Sequence, residues 1–186
     1  MRQPRLAVIE AVIEHVRLES VIEIRHQVLR PNQDRSRCYY PEDSYKNTLH
    51  FAAKIDGHSV ACASIYKESH PDLKLKQSWR IRGMAVLQPF QGQKIGSQLL
   101  EACVNHAIRK KADVVWCNAR IDAVKFYKNF GFKIIGDEFE IADIGPHFLL
   151  AKNLGIHMGQ TRFMEIAKKI FSKEQPVPVP QSKLKP

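Results

Sequence analysis

A strand, a helix and a second strand follow one another in the middle of the chain, and they constrain the fold more than any other feature. "SWRIRGMAVL" (residues 78–87) and "ADVVWCNA" (residues 112–119) are short, β-rich apolar runs. Between them, residues 95–111 carry the apolar stripe of a helix: Ile95, Leu99, Cys103 and Ala107. A strand–helix–strand unit of this length predicts two parallel strands joined by a right-handed crossover.

The sequence before this unit predicts a strand, a helix, a long loop and a hairpin. Residues 5–11 are strand-like, and residues 12–30 repeat apolar positions at near-helical spacing until an Arg-Pro pair ends the helix. Residues 31–47 are polar and contain proline, and loops of this length inside a compact domain are often functional. Two β-rich runs then meet at Asp56-Gly57, the strongest short hairpin signal in the chain.

The sequence after the unit predicts a short helix and two strands. The helix covers residues 122–131 and is closed by Gly131, and the strands cover residues 132–141 and 147–154. The complete order is β-α-ββ-β-α-β-α-β-β. This order predicts an α/β (α+β) fold with a mixed, mostly antiparallel sheet, a central parallel pair and helices on both faces.

The C-terminal part divides into two segments beyond a domain predicted at residues 1–154. Residues 155–173 contain an additional amphipathic helix with these residues on its apolar face: Phe163, Ile166, Ala167, Ile170 and Phe171. Residues 174–186 are rich in Pro and Lys and are predicted to be disordered. The apolar face needs a surface to cover, either on its own domain, which is the commonest arrangement, or in a homodimer or on a membrane.

The net charge favours anionic partners. Lys and Arg number 29 against 19 Asp and Glu, for a formal charge of +10. The basic residues are scattered without an aromatic ladder, which disfavours nucleic acid as the main partner, and the short apolar runs disfavour a membrane protein. The four cysteines lack metal-ligand spacing and suit a reducing cytosol, so we expect a cytoplasmic protein without a metal site.

"QPFQGQKIGSQLL" (residues 88–100) leads from the first strand of the central unit into its helix. The first N–H groups of a helix lack intrahelical partners and attract anions, so this loop is a candidate phosphate site. Gly92 and Gly96 would let a diphosphate approach the backbone, and Gln91 and Lys94 would add a hydrogen bond and a charge. The alternative is that these glycines only punctuate a turn.

Two stretches together resemble the GNAT superfamily of N-acetyltransferases: "MAVLQPFQGQKIGSQLL" and "NARIDAVKFYKNFGFKIIGDEF". The first is similar to the acetyl-CoA pyrophosphate loop of that family, and the second to its Asn…Ala-x-x-Phe-Tyr-x-x-x-Gly-Phe segment. The resemblance covers roughly residues 5 to 152 and implies a parallel pair splayed around acetyl-CoA. Lys94 departs from it, since the usual loop has glycine there; at a positive φ, lysine costs about 1 kcal/mol.

The resemblance also implies which residues hold the cofactor. The backbone of Met84, Ala85 and Val86 would pair with the pantetheine arm, and Asn118 would bind the arm from the other side. The resemblance places Tyr127 beside the coenzyme sulfur. The remaining implied cofactor-binding residues belong to the loop and the first turn of its helix: Gln91, Gly92, Gln93, Lys94, Gly96 and Ser97. A helix cap is the alternative role for Asn118.

Tyr127 is implied to be the general acid that protonates the leaving thiolate. The alternative is an aromatic packed in the core beside its neighbours on the helix. His147 is the candidate general base, because histidine titrates near neutral pH. The alternative bases are Glu138, Glu140 or a chain of water molecules. His147 could also have no catalytic role and simply line the end of its strand.

Arg80 and Arg82 share one side of their strand and would suit an acidic acceptor, or else face acidic neighbours within the protein. The same two alternatives, binding an acidic acceptor or facing acidic neighbours, apply to Arg25 and Arg30. The implied function is acetyl-CoA-dependent N-acetyltransfer to an amine, most simply of a small molecule. The alternative is a non-catalytic acyl-CoA-binding or interaction module of the same fold.

Overall fold

The computed structural model describes residues 11–155, apart from residues 74 and 76. Its elements follow the predicted order: β1 (Val12–Val16), α1 (Glu19–Leu29), β2 (Leu49–Ile55), β3 (His58–Lys67), β4 (Ser78–Val86), α2 (Ile95–Arg109), β5 (Val114–Arg120), α3 (Ile121–Asn129), β6 (Lys133–Ile141) and β7 (Gly145–Asn153). The predicted C-terminal helix and tail, and almost all of the strand predicted at residues 5–11, lie outside the described residues. In the described part of the chain, no helix is long and apolar enough to cross a membrane.

The seven strands of the described residues form one sheet in the order β1-β2-β3-β4-β5-β7-β6. Every neighbouring pair is antiparallel except β4 and β5, which are parallel as predicted. Side chains of β3 alternate between two core clusters: Ala61 and Ala63 pack with α2 and α3, whereas Cys62 packs with α1. The helices therefore cover both faces, with α1 opposite α2 and α3, and the predicted fold class is confirmed.

The N-terminal boundary was predicted wrongly. Residues 12–16 form β1, not the start of the helix, and α1 begins only at Glu19. The five residues of β1 pair with β2 from Val12 opposite Lys54 to Val16 opposite His50. The spacing of Ile13 and Val16 fits a helix, but pairing with the sheet edge overrides this weak local pattern.

The predicted hairpin and long loop both occur. Asp56 and Gly57 have φ values of 49° and 79°, the two positive angles of a tight hairpin turn between β2 and β3. Residues 30–48 connect α1 to β2 through two single turns of 3₁₀ helix, Arg35–Cys38 and Pro41–Ser44. The loop therefore has a defined path across the molecule, which brings its second turn close to β3 and β4.

A buried ion pair ties this loop to the sheet. Arg25 on α1 is fully buried, and its Nη1 and Nη2 donate to the two carboxylate oxygens of Asp43 at 2.7 and 2.9 Å. Asp43 also accepts from the Tyr66 hydroxyl at 2.9 Å and from the Tyr40 backbone N–H at 2.8 Å. Because a buried charge is tolerated only when it is paired and hydrogen-bonded, this network fixes α1, the loop and β3 relative to one another.

His106 on α2 gives the protein a pH-dependent stability. Burial, with Lys110 and Arg109 nearby, lowers the pKa of this histidine from 6.5 to about 4. Below pH 6.5 the unfolded chain therefore binds a proton that the folded chain excludes, and stability falls by up to about 1.4 kcal/mol per pH unit towards pH 4. We expect His106→Phe, which keeps an aromatic ring against Trp79, to flatten this slope in urea unfolding measured at pH 7, 6 and 5. An unchanged slope would contradict this role for His106.

Candidate active site

The cleft opens where the two parallel strands separate. β4 and β5 pair only from Ser78 to Arg80 and from Val114 to Trp116, although both strands continue further. Beyond this joint lies a cleft of about 760 Å³, a volume typical of small-molecule sites. Its walls come from both strands, the start of α2, α3, the end of α1 and the β6–β7 connection.

A bulge at Gly83 helps to bend β4 along the cleft wall. The pairing with β3 changes register between Cys62 and Ser64, which leaves an extra residue on β4. Gly83 has a φ of 62°, and a Cβ there would lie 2.6 Å from Arg25 Nε. Glycine is thus required both by the backbone angle and by the close approach of the buried arginine.

The loop after β4 presents a free helix N-terminus to the cleft. The first helical hydrogen bond runs from the Gln98 N–H to the Lys94 carbonyl at 3.1 Å, so the N–H groups of residues 95–97 precede it. Lys94 is the N-cap and has a φ of 63°, with no capping bond from its side chain. Lys94 therefore has the positive φ expected at a position where the usual loop has glycine, and lysine adopts it at a cost of about 1 kcal/mol.

The polar side chains of the loop differ in where they point. Gln91 Nε2 donates to the Val86 carbonyl at 2.9 Å and Gln93 Nε2 donates to the Pro89 carbonyl at 3.0 Å, so both amides brace the loop itself. Gln91 nevertheless lines the cleft, together with four other residues of the loop and the first helical turn: Gly92, Lys94, Gly96 and Ser97. Gln93 does not line it.

Tyr127 on α3 meets Met84 on β4 inside the cleft. The Tyr127 hydroxyl lies 3.4 Å from Met84 Sδ, and the ring packs edge-on against Phe126 and Phe132. Burial, followed by the nearby thiols of Cys117 and Cys103, raises the pKa of Tyr127 well above 10. The phenol therefore keeps its proton at neutral pH and can serve as a hydrogen-bond donor or as an acid, but not as a phenolate base. Met84, Ala85 and Val86 line the wall beside it.

Asn118 lines the cleft from β5 and has an unsatisfied polar atom. Its Oδ1 is enclosed but has no hydrogen-bond partner among the described residues. It does not cap α3, because that helix begins after Arg120 and has no side-chain cap. A buried carbonyl oxygen without a partner marks a place where a ligand N–H or water is needed.

Of the candidate bases, only His147 lines the cleft. Its Nδ1 lies 2.7 Å from the Gly145 carbonyl, which can only accept, so Nδ1 carries the proton and Nε2 keeps its lone pair in the neutral ring. Glu138 and Glu140 are exposed on β6 and are not part of the cleft wall. The geometry thus offers one imidazole acceptor at the cleft and neither carboxylate.

Arg80 and Arg82 both line the cleft, and each already has an acidic partner. Arg80 lies 3.1 Å from Glu68 and Arg82 lies 3.1 Å from Glu42. Arg82 also stacks 3.8 Å from the centroid of the Tyr40 ring, which packs against Arg25 on a second side at 4.4 Å. Of the two alternatives for Arg80 and Arg82, the structure therefore shows the one in which acidic neighbours pair with them. These ion pairs are partly buried rather than fully solvated.

Tyr40 and Arg120 are among the cleft residues that sequence reasoning missed. Tyr40 sits in the polar loop, where nothing in the local pattern predicts burial. Arg120 is the last residue of β5 and lies within the motif "NAR", so its position at a strand end preceding a helix was visible. Strand ends next to a parallel joint are where site residues collect, and that signal was available.

Comparisons with known proteins agree with this architecture. The acetyltransferase (GNAT) family matches residues 11–132. An uncharacterized N-acetyltransferase of Bacillus subtilis (strain 168), YitI, is 34% identical over 142 residues, which cover 76% of this chain and 95% of the relative.

Solved structures share the fold at lower identity. Escherichia coli ElaA superposes with a TM-score of 0.63 at 21% identity, covering 77% of this chain and 100% of ElaA. An aminoglycoside 6′-N-acetyltransferase complexed with coenzyme A has a TM-score of 0.61 at 12% identity, covering 76% of this chain and 96% of the other. Family enzymes transfer an acyl group from an acyl-CoA cosubstrate to an amine. With the extent of the family match and the identity to YitI, this chain belongs to the acetyltransferase (GNAT) family.

Proposed function

We propose that this protein is an acetyl-CoA-dependent N-acetyltransferase that acts on the amine of a small molecule, with residues 1–154 as its catalytic domain. The observation that carries the proposal is the cleft between β4 and β5, which has free polar groups on both walls. We place the enzyme in the cytoplasm, since all four cysteines are free and buried, as suits a reducing compartment.

The walls of the cleft fit the parts of coenzyme A. The N–H groups at the start of α2 and the positive end of its dipole suit the diphosphate, with Lys94 as an added charge. The unpaired edge of β4 beyond Arg80 suits the amides of the pantetheine arm, in the manner of an added strand. Asn118 Oδ1 would accept an N–H from the same arm. The coenzyme A seen with the similar aminoglycoside acetyltransferase supports this fit.

Two residues are in place to handle protons. Acetyl-CoA supplies a thioester, from which the amine takes the acetyl group while the sulfur leaves as a thiol. Tyr127 keeps the proton of its hydroxyl, which in the structure is directed at Met84 Sδ, and would donate it to the departing sulfur. His147 Nε2 is a free acceptor that takes the proton lost by the amine, directly or through water.

Gly96 gives a direct test of cofactor use. A Cβ at Gly96 would contact Val86, Met84 and Phe126 side chains at 3.6–3.8 Å, which is ordinary packing, so alanine fits the folded protein. Glutamate adds bulk and a negative charge beside the proposed diphosphate, and like charges brought together cost several kcal/mol. We expect Gly96→Glu to weaken acetyl-CoA binding in calorimetry at least about tenfold, and Gly96→Ala to remain folded with a smaller change.

Calorimetry and thiol release over an amine panel together decide the proposal. Native circular dichroism of Gly96→Glu is the required control. Equal acetyl-CoA affinity in a folded Gly96→Glu protein would exclude this loop as the diphosphate site. Tight acetyl-CoA binding without thiol release on any amine would favour the alternative of a non-catalytic acyl-CoA-binding module.

A further inference from the structure

The arginines of the cleft fall into two groups. Arg80 and Arg82 are each neutralised by a glutamate, as described above. Arg30 and Arg120 also line the cleft, but neither forms an ion pair with a carboxylate in the described part of the chain. Partly buried guanidinium groups are normally paired, so these two arginines, in addition to Lys94 of the loop, are positive charges that the cleft leaves for a ligand.

Arg120 is held in position by the end of α1. Its Nη2 donates to the Leu29 carbonyl at 2.9 Å, and Leu29 is the last residue of that helix. A guanidinium has five N–H donors in a fixed fork, so most of them are still free. The side chain is thus oriented at the cleft wall without being saturated.

Arg30 follows Leu29 directly and is braced in a similar way. Its Nη1 donates to Gln33 Oε1 at 2.9 Å, and Gln33 Nε2 in turn donates to the Asp143 carbonyl at 2.9 Å. Its Nε is enclosed yet has no hydrogen-bond partner among the described residues. A buried N–H without a partner requires an acceptor, and one that belongs to a cation is best satisfied by an anion.

The acidic groups nearby do not neutralise this pair. Asp122 lines the cleft but is exposed, and it makes no hydrogen bond or ion pair in the described structure. Asp143 in the β6–β7 connection is paired with Arg37 at 3.1 Å. The other side chains at this end of the cleft are Ile141, Ile144 and His147, none of which carries a negative charge.

The position of the pair separates it from the proposed diphosphate site. The proposed diphosphate site lies at the start of α2, whereas Arg120 contacts Leu29 at the end of α1 and Arg30 is the next residue, and α1 covers the opposite face of the sheet from α2. We propose that the acceptor of this enzyme is an amine that also carries an oxyanion, a carboxylate or a phosphate, held by Arg30 and Arg120. The inference rests on the proposed acetyl transfer and names the class of acceptor for it.

Matched pairs of amines test the proposal. The probes are 4-aminobutyrate against butylamine, and O-phosphoethanolamine against ethanolamine, measured by thiol release and by calorimetry with and without coenzyme A. We expect the oxyanion member of at least one pair to bind or react with at least about a tenfold lower Kd or KM. Arg120→Gln, which keeps a donor for Leu29, and Arg30→Gln should each remove most of that preference.

The variants have internal controls. Arg120→Lys keeps the charge and should retain part of the preference for the oxyanion. Arg35→Gln removes an exposed arginine from the loop that follows Arg30, where it pairs with Glu23 at 3.6 Å, and should leave the preference unchanged. Equal affinity for both members of every pair overturns the proposal, as does loss of acetyl-CoA affinity in the Arg30 or Arg120 variants. If the wild-type protein does not bind acetyl-CoA, the proposed acetyl transfer is refuted. Calorimetry of the amine pairs without coenzyme A then still decides whether the oxyanion site exists.

Discussion

Replacing Tyr127 by phenylalanine is expected to lower kcat by about 10²-fold or more while acetyl-CoA affinity stays the same. The substitution keeps the ring that packs against Phe126 and Phe132 and removes only the hydroxyl near Met84 Sδ. The hydroxyl would matter only while the sulfur departs, so its loss should appear in kcat rather than in binding. Pre-steady-state kinetics must show that chemistry limits the rate in the wild type.

Two controls make this result specific. Tyr45→Phe removes a hydroxyl from an exposed tyrosine and should leave kcat unchanged. Since the pKa of Tyr127 lies well above 10, its deprotonation should cause no loss of activity up to about pH 10. An unchanged kcat in Tyr127→Phe would return this residue to a packing role.

Replacing Asp43 by alanine is expected to destabilise the fold by about 3–5 kcal/mol, because it leaves the buried charge of Arg25 without its partner. Burial alone would raise the pKa of Asp43, but Arg25 and the other donors outweigh it and the pKa is lowered. The carboxylate therefore stabilises the fold above its unfolded pKa near 3.8, and this contribution is lost as the pH falls through the lower folded pKa. Urea unfolding at pH 7 measures the difference.

An exposed ion pair provides the matched control. Glu14 and Lys54 lie 2.7 Å apart on neighbouring strands but are 46% and 30% exposed, so Glu14→Ala should cost no more than about 1 kcal/mol. The double variant Arg25→Met, Asp43→Leu should be more stable than Asp43→Ala alone, because no unpaired charge stays buried. Equal losses for Glu14→Ala and Asp43→Ala would show that Arg25 reaches water when Asp43 is absent.

Local pattern predicted the elements that depend on neighbouring residues. The apolar stripe of α2, the Asp56-Gly57 turn and the apolar run of β5 each carry their own periodicity or turn chemistry, and all three were found. β1 was missed because five residues with mixed polarity have no period strong enough to outweigh a helical reading. Its structure is decided by the edge of β2, which is distant in sequence.

The site could be predicted only where a motif fixes it. Gly92 and Gly96 were singled out by their loop at a helix N-terminus and Tyr127 through the family resemblance, and the structure brings all three to one cleft. The partners of Arg25 and Arg82 could not be predicted, because Asp43 and Glu42 lie in a polar loop whose path depends on the complete fold. The place of Arg120 at the end of a strand was visible in the sequence, but its contact with the end of α1, next to Arg30, joins two distant segments and has no local signature.

The short parallel joint also bears on how the chain folds. β1 to β4 pair in sequence order, and β5, β6 and β7 pair among themselves, so the sheet consists of two groups that join only at β4 and β5. The pairings of β1 with β2, of β5 with β7 and of β4 with β5 all close long connections, and each must offset the entropic cost of closing its loop. Five residue pairs do so between β1 and β2, and seven do so between β5 and β7. Only three residue pairs join the two groups, after the whole of α2 has been traversed. We therefore expect the cleft to be the last part of the sheet to assemble, so that a molecule able to bind ligand there has already completed its other strand pairings.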